Sequence, residues 1–131
     1  MKAAAAKLES PIRVLIVDDH RLFAEALEAI LAGESTLEVV GRARNGAEAV
    51  ELTLELEPDV VLMDISMPVM DGVEATRRIR EARPGACVLM LTGSNAAADV
   101  DRARDAGAAG YVTKDRIAAE LIDAILEVVA R

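Results

Sequence analysis

Ile12-Arg13-Val14-Leu15-Ile16-Val17-Asp18-Asp19 is an apolar run closed by two carboxylates, and Val60-Val61-Leu62-Met63-Asp64 repeats the pattern further along the chain. A short, continuous apolar run bounded by polar residues reads as a buried strand of a parallel sheet. Side chains just past the carboxyl end of such a strand project into a crevice. Asp18, Asp19 and Asp64 then meet there, and like charges that close are costly unless they are protonated or neutralised by a cation. Hard oxygen ligands suit a small divalent ion such as Mg²⁺. The three residues form a candidate metal site, and Asp64 is also a candidate nucleophile.

Apolar stretches and helical patterns alternate five times after Pro11, with no Ser-, Gly- or Pro-rich linker and no internal repeat. That alternation predicts an α/β sandwich. Strands are expected at 12–17, 38–43, 60–63, 87–91 and 110–113. Helices are expected at about 21–32, from 46 to just before Pro58, and at 73–82, 95–106 and 116–130. Leu22, Phe23, Ala26, Leu27, Ile30 and Leu31 are assigned to one face of the first helix, which Gly33 ends. Glu38 and Arg42 mark the second strand as an exposed edge. Asn45 is placed to cap the second helix, and Pro84-Gly85 closes the third unit. The architecture expected is a flavodoxin-like (βα)5 three-layer sandwich with parallel sheet order 2-1-3-4-5. In that order strands one and three are neighbours at the topological switch point, which brings Asp18, Asp19 and Asp64 together.

Length and composition agree with that reading. The 131 residues are the size of one domain, with residues 11–131 as the folded unit and 1–10 as a disordered extension. The apolar fraction is 53% but aromatics are only 2%, so the core must be aliphatic. A net charge of −8 repels a phosphate backbone, which argues against direct nucleic-acid binding by this chain. No stretch approaches the roughly 20 apolar residues that cross a bilayer, and the N-terminus lacks the hydrophobic region of a secretion signal. A cytoplasmic protein with no membrane partner is expected. The one cysteine, Cys87, starts an apolar run and reads as an inert thiol.

The remaining polar residues of interest also end strands. Thr92 and Ser94 follow the fourth and Lys114 follows the fifth, and parallel strands put all their carboxyl ends on one rim. Charge repulsion makes a carboxylate among carboxylates a poor nucleophile toward an anionic phosphoryl group. A divalent cation reverses that sign. Asp64 can then form an aspartyl phosphate, while the Lys114 ammonium and the Thr92 hydroxyl each take a phosphoryl oxygen.

This arrangement resembles the response-regulator receiver domain, the phospho-accepting module of bacterial two-component signalling. The residues that carry the likeness are Asp18-Asp19, Asp64 within Asp64-Ile65-Ser66-Met67-Pro68-Val69-Met70-Asp71-Gly72, Thr92 and Lys114, spanning about residues 11–131. The resemblance implies that Asp64 is phosphorylated by a sensor histidine kinase. It implies that Asp19 and Asp64 ligate Mg²⁺ directly, that Asp18 acts through water and that the backbone carbonyl of Ser66 completes the protein ligands, with Mn²⁺ as the alternative ion. Thr92 and Tyr111 correspond to the family's switch pair, and Ser66 and Ser94 to positions that affect the lifetime of the phosphoryl group. Such a protein is a self-phosphorylating, slowly self-dephosphorylating switch and not a turnover enzyme.

Departures from the family pattern are informative. Lys114 is followed by Asp115 where most members have proline, and Val69 stands where the loop commonly has glycine. With His20 after the Asp pair and the Gly110-Tyr111-Val112-Thr113-Lys114-Asp115 run, the chain looks like the subfamily with a LuxR-type helix-turn-helix output. That implies transcriptional control through a DNA-binding domain absent from this chain. The competing reading is a phosphorylation-independent or stand-alone interaction module on the same fold. A dehalogenase-like phosphatase is discounted because Ser66 stands where it needs a second Asp, and a flavin protein because Asp18-Asp19-His20 repels a flavin phosphate.

Single residues also have ordinary readings. His20, the chain's one histidine, is assigned to packing at the helix start in preference to phosphohistidine or metal chemistry. The fourth helix carries Val100 as its large apolar residue and is expected to be weakly anchored. In the fifth, Ile117, Leu121, Ile125 and Val128 form one stripe and Ile122, Leu126 and Val129 a second. The second stripe is either a homodimer or docking face, or part of one wide buried face.

Overall fold

The computed structural model describes residues 10–93 and 97–130. The strands are β1 (Ile12–Val17), β2 (Leu37–Ala43), β3 (Val60–Asp64), β4 (Val88–Thr92) and β5 (Gly110–Thr113). The helices are α1 (Arg21–Ala32), α2 (Gly46–Leu56), α3 (Gly72–Ala82), α4 (Ala97–Asp105) and α5 (Ile117–Ala130), with a 3₁₀ turn at Lys114–Arg116. All strand pairs are parallel, in the order β2-β1-β3-β4-β5. The flavodoxin-like (βα)5 sandwich read from the sequence is the fold observed.

Side-chain alternation along the strands divides the core in two. Val14, Ile16, Val60, Leu62, Leu89, Leu91 and Val112 face one way and pack against Ala24, Leu27 and Leu31 of α1 and the buried stripe of α5. Leu15, Val17, Val61, Met63, Val88 and Met90 face the other way, against Ala49 of α2, Val73, Ala75 and Ile79 of α3, and Ala103 of α4. Every residue of β3 and β4 is buried, as expected of central strands covered by helices on both sides.

The boundaries differ in small ways. β3 and β4 each run one residue further than apolarity predicts, because Asp64 pairs with Leu91 and Thr92 with Thr113 in the ladder. β2 starts at Leu37, and α5 begins after the 3₁₀ turn. On α1 the predicted face is rotated: Ala24 is buried, Ala26 is exposed and Leu22 is 77% exposed. Asn45 caps α2 as expected, its Oδ1 accepting from the Glu48 N–H at 2.9 Å. On α5, Ile117, Leu121, Ile125 and Val128 are buried, Ile122 and Val129 pack against the core's edge, and Leu126 is exposed. Cys87 is half-buried, its Sγ 3.7 Å from the Val128 carbonyl. The predicted extension over residues 1–9, the start of the fourth helix and Ser94 lie outside the described residues.

Candidate functional site

β1 and β3 are neighbours, with Val17 opposite Met63, so the residues following each emerge side by side at the sheet's carboxyl rim. Asp18 stays in register through its N–H to the Ala43 carbonyl and is only 3% exposed; Asp64 is 1% exposed. Asp19 is turned outward. One carboxylate oxygen from each of the three, together with one ring nitrogen of His20, lies within a 4.8 Å set. The packing predicted for His20 is not what the structure shows. Its side chain is 69% exposed, and Nδ1 sits 3.3 Å from Asp18 Oδ1 and 3.2 Å from Asp19 Oδ1.

Lys114, at the end of β5, reaches across the rim with Nζ 3.2 Å from Asp64 Oδ1 and 3.9 Å from Asp18 Oδ2. The Ser66 N–H approaches Asp64 Oδ1 at 3.4 Å. Among the described residues, Asp18 Oδ2 and Asp64 Oδ2 are buried without a hydrogen bond. A buried carboxylate oxygen left without a donor is costly, and a divalent cation is the partner that would satisfy two at once. The donor set therefore fits a hard metal ion. Burial pushes the Asp64 carboxyl above the usual range and the Asp18 carboxylate adds to the rise, against opposition from the Lys114 ammonium and the Ser66 amide.

Thr92 ends β4, buried, one strand away from Asp64. Tyr111, on β5, is 42% exposed and borders a cleft of about 270 Å³ between β5 and α4 with Val100, Ala103 and Arg104. Thus Asp18, Asp19, Asp64 and Lys114 form one contact group, Thr92 stands beside it, and Tyr111 faces outward on the neighbouring surface.

Several contributors escaped the sequence reading. The Phe23 ring, the chain's single phenylalanine, lies 4.6 Å from Lys114 Nζ, a cation–π contact that steadies the ammonium. Its place three residues after His20, on a helix beginning beside the carboxylates, was the available signal. Gly72 lies where a Cβ would come 2.2 Å from the Asp64 carbonyl oxygen, so β3 and α3 can approach only without a side chain there. Asp71 caps α3 through the Glu74 N–H and pairs with Arg102 of α4 at 3.6 Å. Val69 adopts φ 70°, the left-handed conformation that the usual glycine takes freely and a β-branched residue enters only with strain.

Comparison with known proteins places the chain in a family. The family model for the response regulator receiver domain matches residues 14–126. The chain belongs to that family. This receiver is 44% identical over 117 residues to the transcriptional regulatory protein LnrK of Bacillus subtilis, covering 89% of this chain and 53% of that protein. Among solved structures it is similar to a LuxR-family two-component response regulator from an Aurantimonas species: TM-score 0.88, 38% identity, 92% of this chain and 86% of that one. It is also similar to a chain of the CheX–CheY–BeF3–Mg complex of Borrelia burgdorferi, with TM-score 0.88, 27% identity, and 96% and 95% of the two chains covered. The receiver spans about half the length of the curated relatives it matches. The likeness to LuxR-type regulators read from His20 and residues 110–115 agrees with these relatives. Among the described residues no helix is long and apolar enough to cross a membrane.

Proposed function

We propose that this receiver takes a phosphoryl group onto Asp64 from a phosphohistidine of a sensor histidine kinase. The observation that carries the reading is the Lys114 ammonium 3.2 Å from Asp64 Oδ1, beside two buried carboxylate oxygens with no hydrogen bond. Asp18, Asp19, Asp64 and the Ser66 carbonyl are the residues that would hold Mg²⁺, or Mn²⁺ in its place. When bound, the ion supplies the positive charge that lets an anionic phosphoryl group approach a carboxylate.

The chain's own groups do the rest. An Asp64 carboxylate oxygen bonds to phosphorus as the phosphorus–nitrogen bond of the donor imidazole breaks, leaving an acyl phosphate. Lys114, steadied by Phe23, holds one phosphoryl oxygen through a charge-assisted hydrogen bond, and the Thr92 hydroxyl donates to another. Attack by water restores the carboxylate, so the domain is a resettable switch and not a turnover enzyme. Thr92 and Tyr111 relay the state to the face formed by α4, β5 and α5, where Ala103 is the buried residue among the described side chains of α4.

Output through a LuxR-type DNA-binding domain is supported by the relatives, which are transcription regulators of which this receiver spans about half. The net charge of −8 leaves DNA contact to such a domain. A cytoplasmic location goes with this role, and pairing of two receivers through the α4–β5–α5 face goes with the exposed Leu126. Acetyl phosphate with Mg²⁺, followed by intact-protein mass spectrometry, tests the core claim. One added phosphoryl group is expected in the wild type and none in Asp64→Asn. No labelling of the wild type would leave the interaction-module reading in its place.

A further inference from the structure

We propose that His20 is itself a ligand of the cation site. Its Nδ1 joins the Asp18, Asp19 and Asp64 carboxylates around one divalent ion and gives the site a preference for first-row transition ions over Mg²⁺. The inference rests on the reading of those carboxylates as a cation site and adds a donor to it.

The backbone delivers the ring to that place. His20 is extended, at φ −98° and ψ 105°, and its N–H donates to Asp18 Oδ1 at 2.8 Å, which turns the residue back over the carboxylates it follows. Nδ1 then lies 3.2 Å from Asp19 Oδ1 and 3.3 Å from Asp18 Oδ1. Ligand atoms about 2.1 Å from a shared ion are roughly 3 Å apart when adjacent and about 4.2 Å when opposite. The four donor atoms fall within 4.8 Å of one another, so they close onto one ion with shifts of a few tenths of an ångström.

Without an ion, Nδ1 shares a hydrogen bond with Asp18 Oδ1, a contact that an ion would replace. Although His20 occupies the N-cap position of α1, its side chain makes no capping hydrogen bond, and the ring is 69% exposed. The independent sign of a cation is the pair of buried oxygens, Asp18 Oδ2 and Asp64 Oδ2, with no hydrogen bond among the described residues. Donor chemistry then sets the preference. Mg²⁺ takes oxygen ligands and keeps its waters, whereas neutral imidazole is a good ligand for ions later in the first transition row. A nitrogen at this position adds affinity for Co²⁺ and, to a smaller degree, Mn²⁺, and adds little for Mg²⁺.

The test uses the untagged chain, in which His20 is the single histidine, so any imidazole signal is its own. Wild type, His20→Ala and His20→Gln are titrated with Mg²⁺, Mn²⁺ and Co²⁺ by calorimetry, and the Mn²⁺ complexes are examined by pulsed EPR for imidazole nitrogen coupling. Far-UV circular dichroism checks that the variants are folded. Removing the ring is expected to weaken Co²⁺ at least about tenfold and Mn²⁺ severalfold, with Mg²⁺ changed less than about twofold, and to abolish the nitrogen coupling. Equal effects on all three ions, no effect on any, or Mn²⁺ bound to the wild type without nitrogen coupling would overturn the assignment of His20. A wild type that takes up no divalent ion at all would instead overturn the cation-site reading beneath it.

Discussion

Asp64→Asn is expected to stabilise the metal-free protein at neutral pH and to flatten its dependence on pH. Asp64 Oδ1 and Lys114 Nζ are 3.2 Å apart, an attraction of about 5 kcal/mol at an effective dielectric of about 20. Lys114 is 29% exposed, so solvent trims that figure. Against it stand repulsion from Asp18, at least about 3.5 kcal/mol for ligand atoms no more than 4.8 Å apart, and a desolvation cost of several kcal/mol for a buried carboxylate. The balance is unfavourable to the charged form, in keeping with the raised pKa of Asp64. Between the ordinary carboxylate range and that raised value the folded state binds more protons than the unfolded one, so stability falls as pH rises through the window and stays lost above it. Asn carries no such penalty and leaves Lys114 paired with Asp18 at 3.9 Å. In EDTA at pH 7 the variant should be more stable by about 1–2 kcal/mol, or about 4–8 °C in Tm, with the gap closing at acid pH where Asp64 is neutral. Mg²⁺ should narrow or reverse the order, because at a hundred times its Kd it stabilises the wild type by about 2.7 kcal/mol. Thermal melts across pH decide the matter: a lower Tm for Asp64→Asn at pH 7, or parallel pH curves for both proteins, refutes the electrostatic reasoning.

Two further outcomes are expected. Phe23→Leu keeps the apolar volume but removes the ring from Lys114, so it should cost about 0.5–1 kcal/mol in chemical denaturation and slow labelling by acetyl phosphate severalfold; an unchanged labelling rate would mean the ring does not position the ammonium. Val69→Gly releases the left-handed strain at a residue that is 84% exposed, against an unfolded-chain entropy cost of roughly 0.4–1 kcal/mol, so Tm should rise by about 2–4 °C, and a fall would show that the strain there is smaller than that cost.

Strands were legible because an aliphatic run flanked by polar residues has few other ways to be buried, and the bounds of β1 and β5 matched in full. Polarity misled at the other carboxyl ends: Asp64 and Thr92 look like loop residues but still take part in the ladder. The α1 face went astray because every apolar residue was assigned to it. Leu22 lies roughly 140° around the helix from Leu27, whereas Ala24 lies about 60° from Leu27 and 20° from Leu31. Small size hid Ala24, and hydrophobicity promoted Leu22. Asp18, Asp19, Asp64 and Lys114 could be grouped from their strand-end positions alone. His20 and Phe23 could not, since their roles depend on backbone direction over a few residues, and the spacing of apolar side chains carries no information about that.

The same hydrogen bonds that build the sheet also fix the chemistry. Ile65 donates to the Leu91 carbonyl at 3.1 Å and Gly72 donates to the Ile65 carbonyl at 3.0 Å, so the residue after Asp64 is held on both sides by backbone. Because Gly72 lacks a Cβ, α3 can start directly against the Asp64 main chain, and its cap, Asp71, carries the ion pair to Arg102 of α4. On the proposed function, charge added at Asp64 is therefore felt at once by Lys114 just after β5 and, through the loop that ends at Asp71, by α4. These are the two elements on either side of the Tyr111 cleft. Among the described residues the buried carboxylates lie at the rim, Asp18 and Asp64, while the layers above and below the sheet are mainly aliphatic, so electrostatic relief is confined to that edge. A switch of this kind requires a rigid sheet and a poorly buried α4, and the distribution of burial along the chain supplies both.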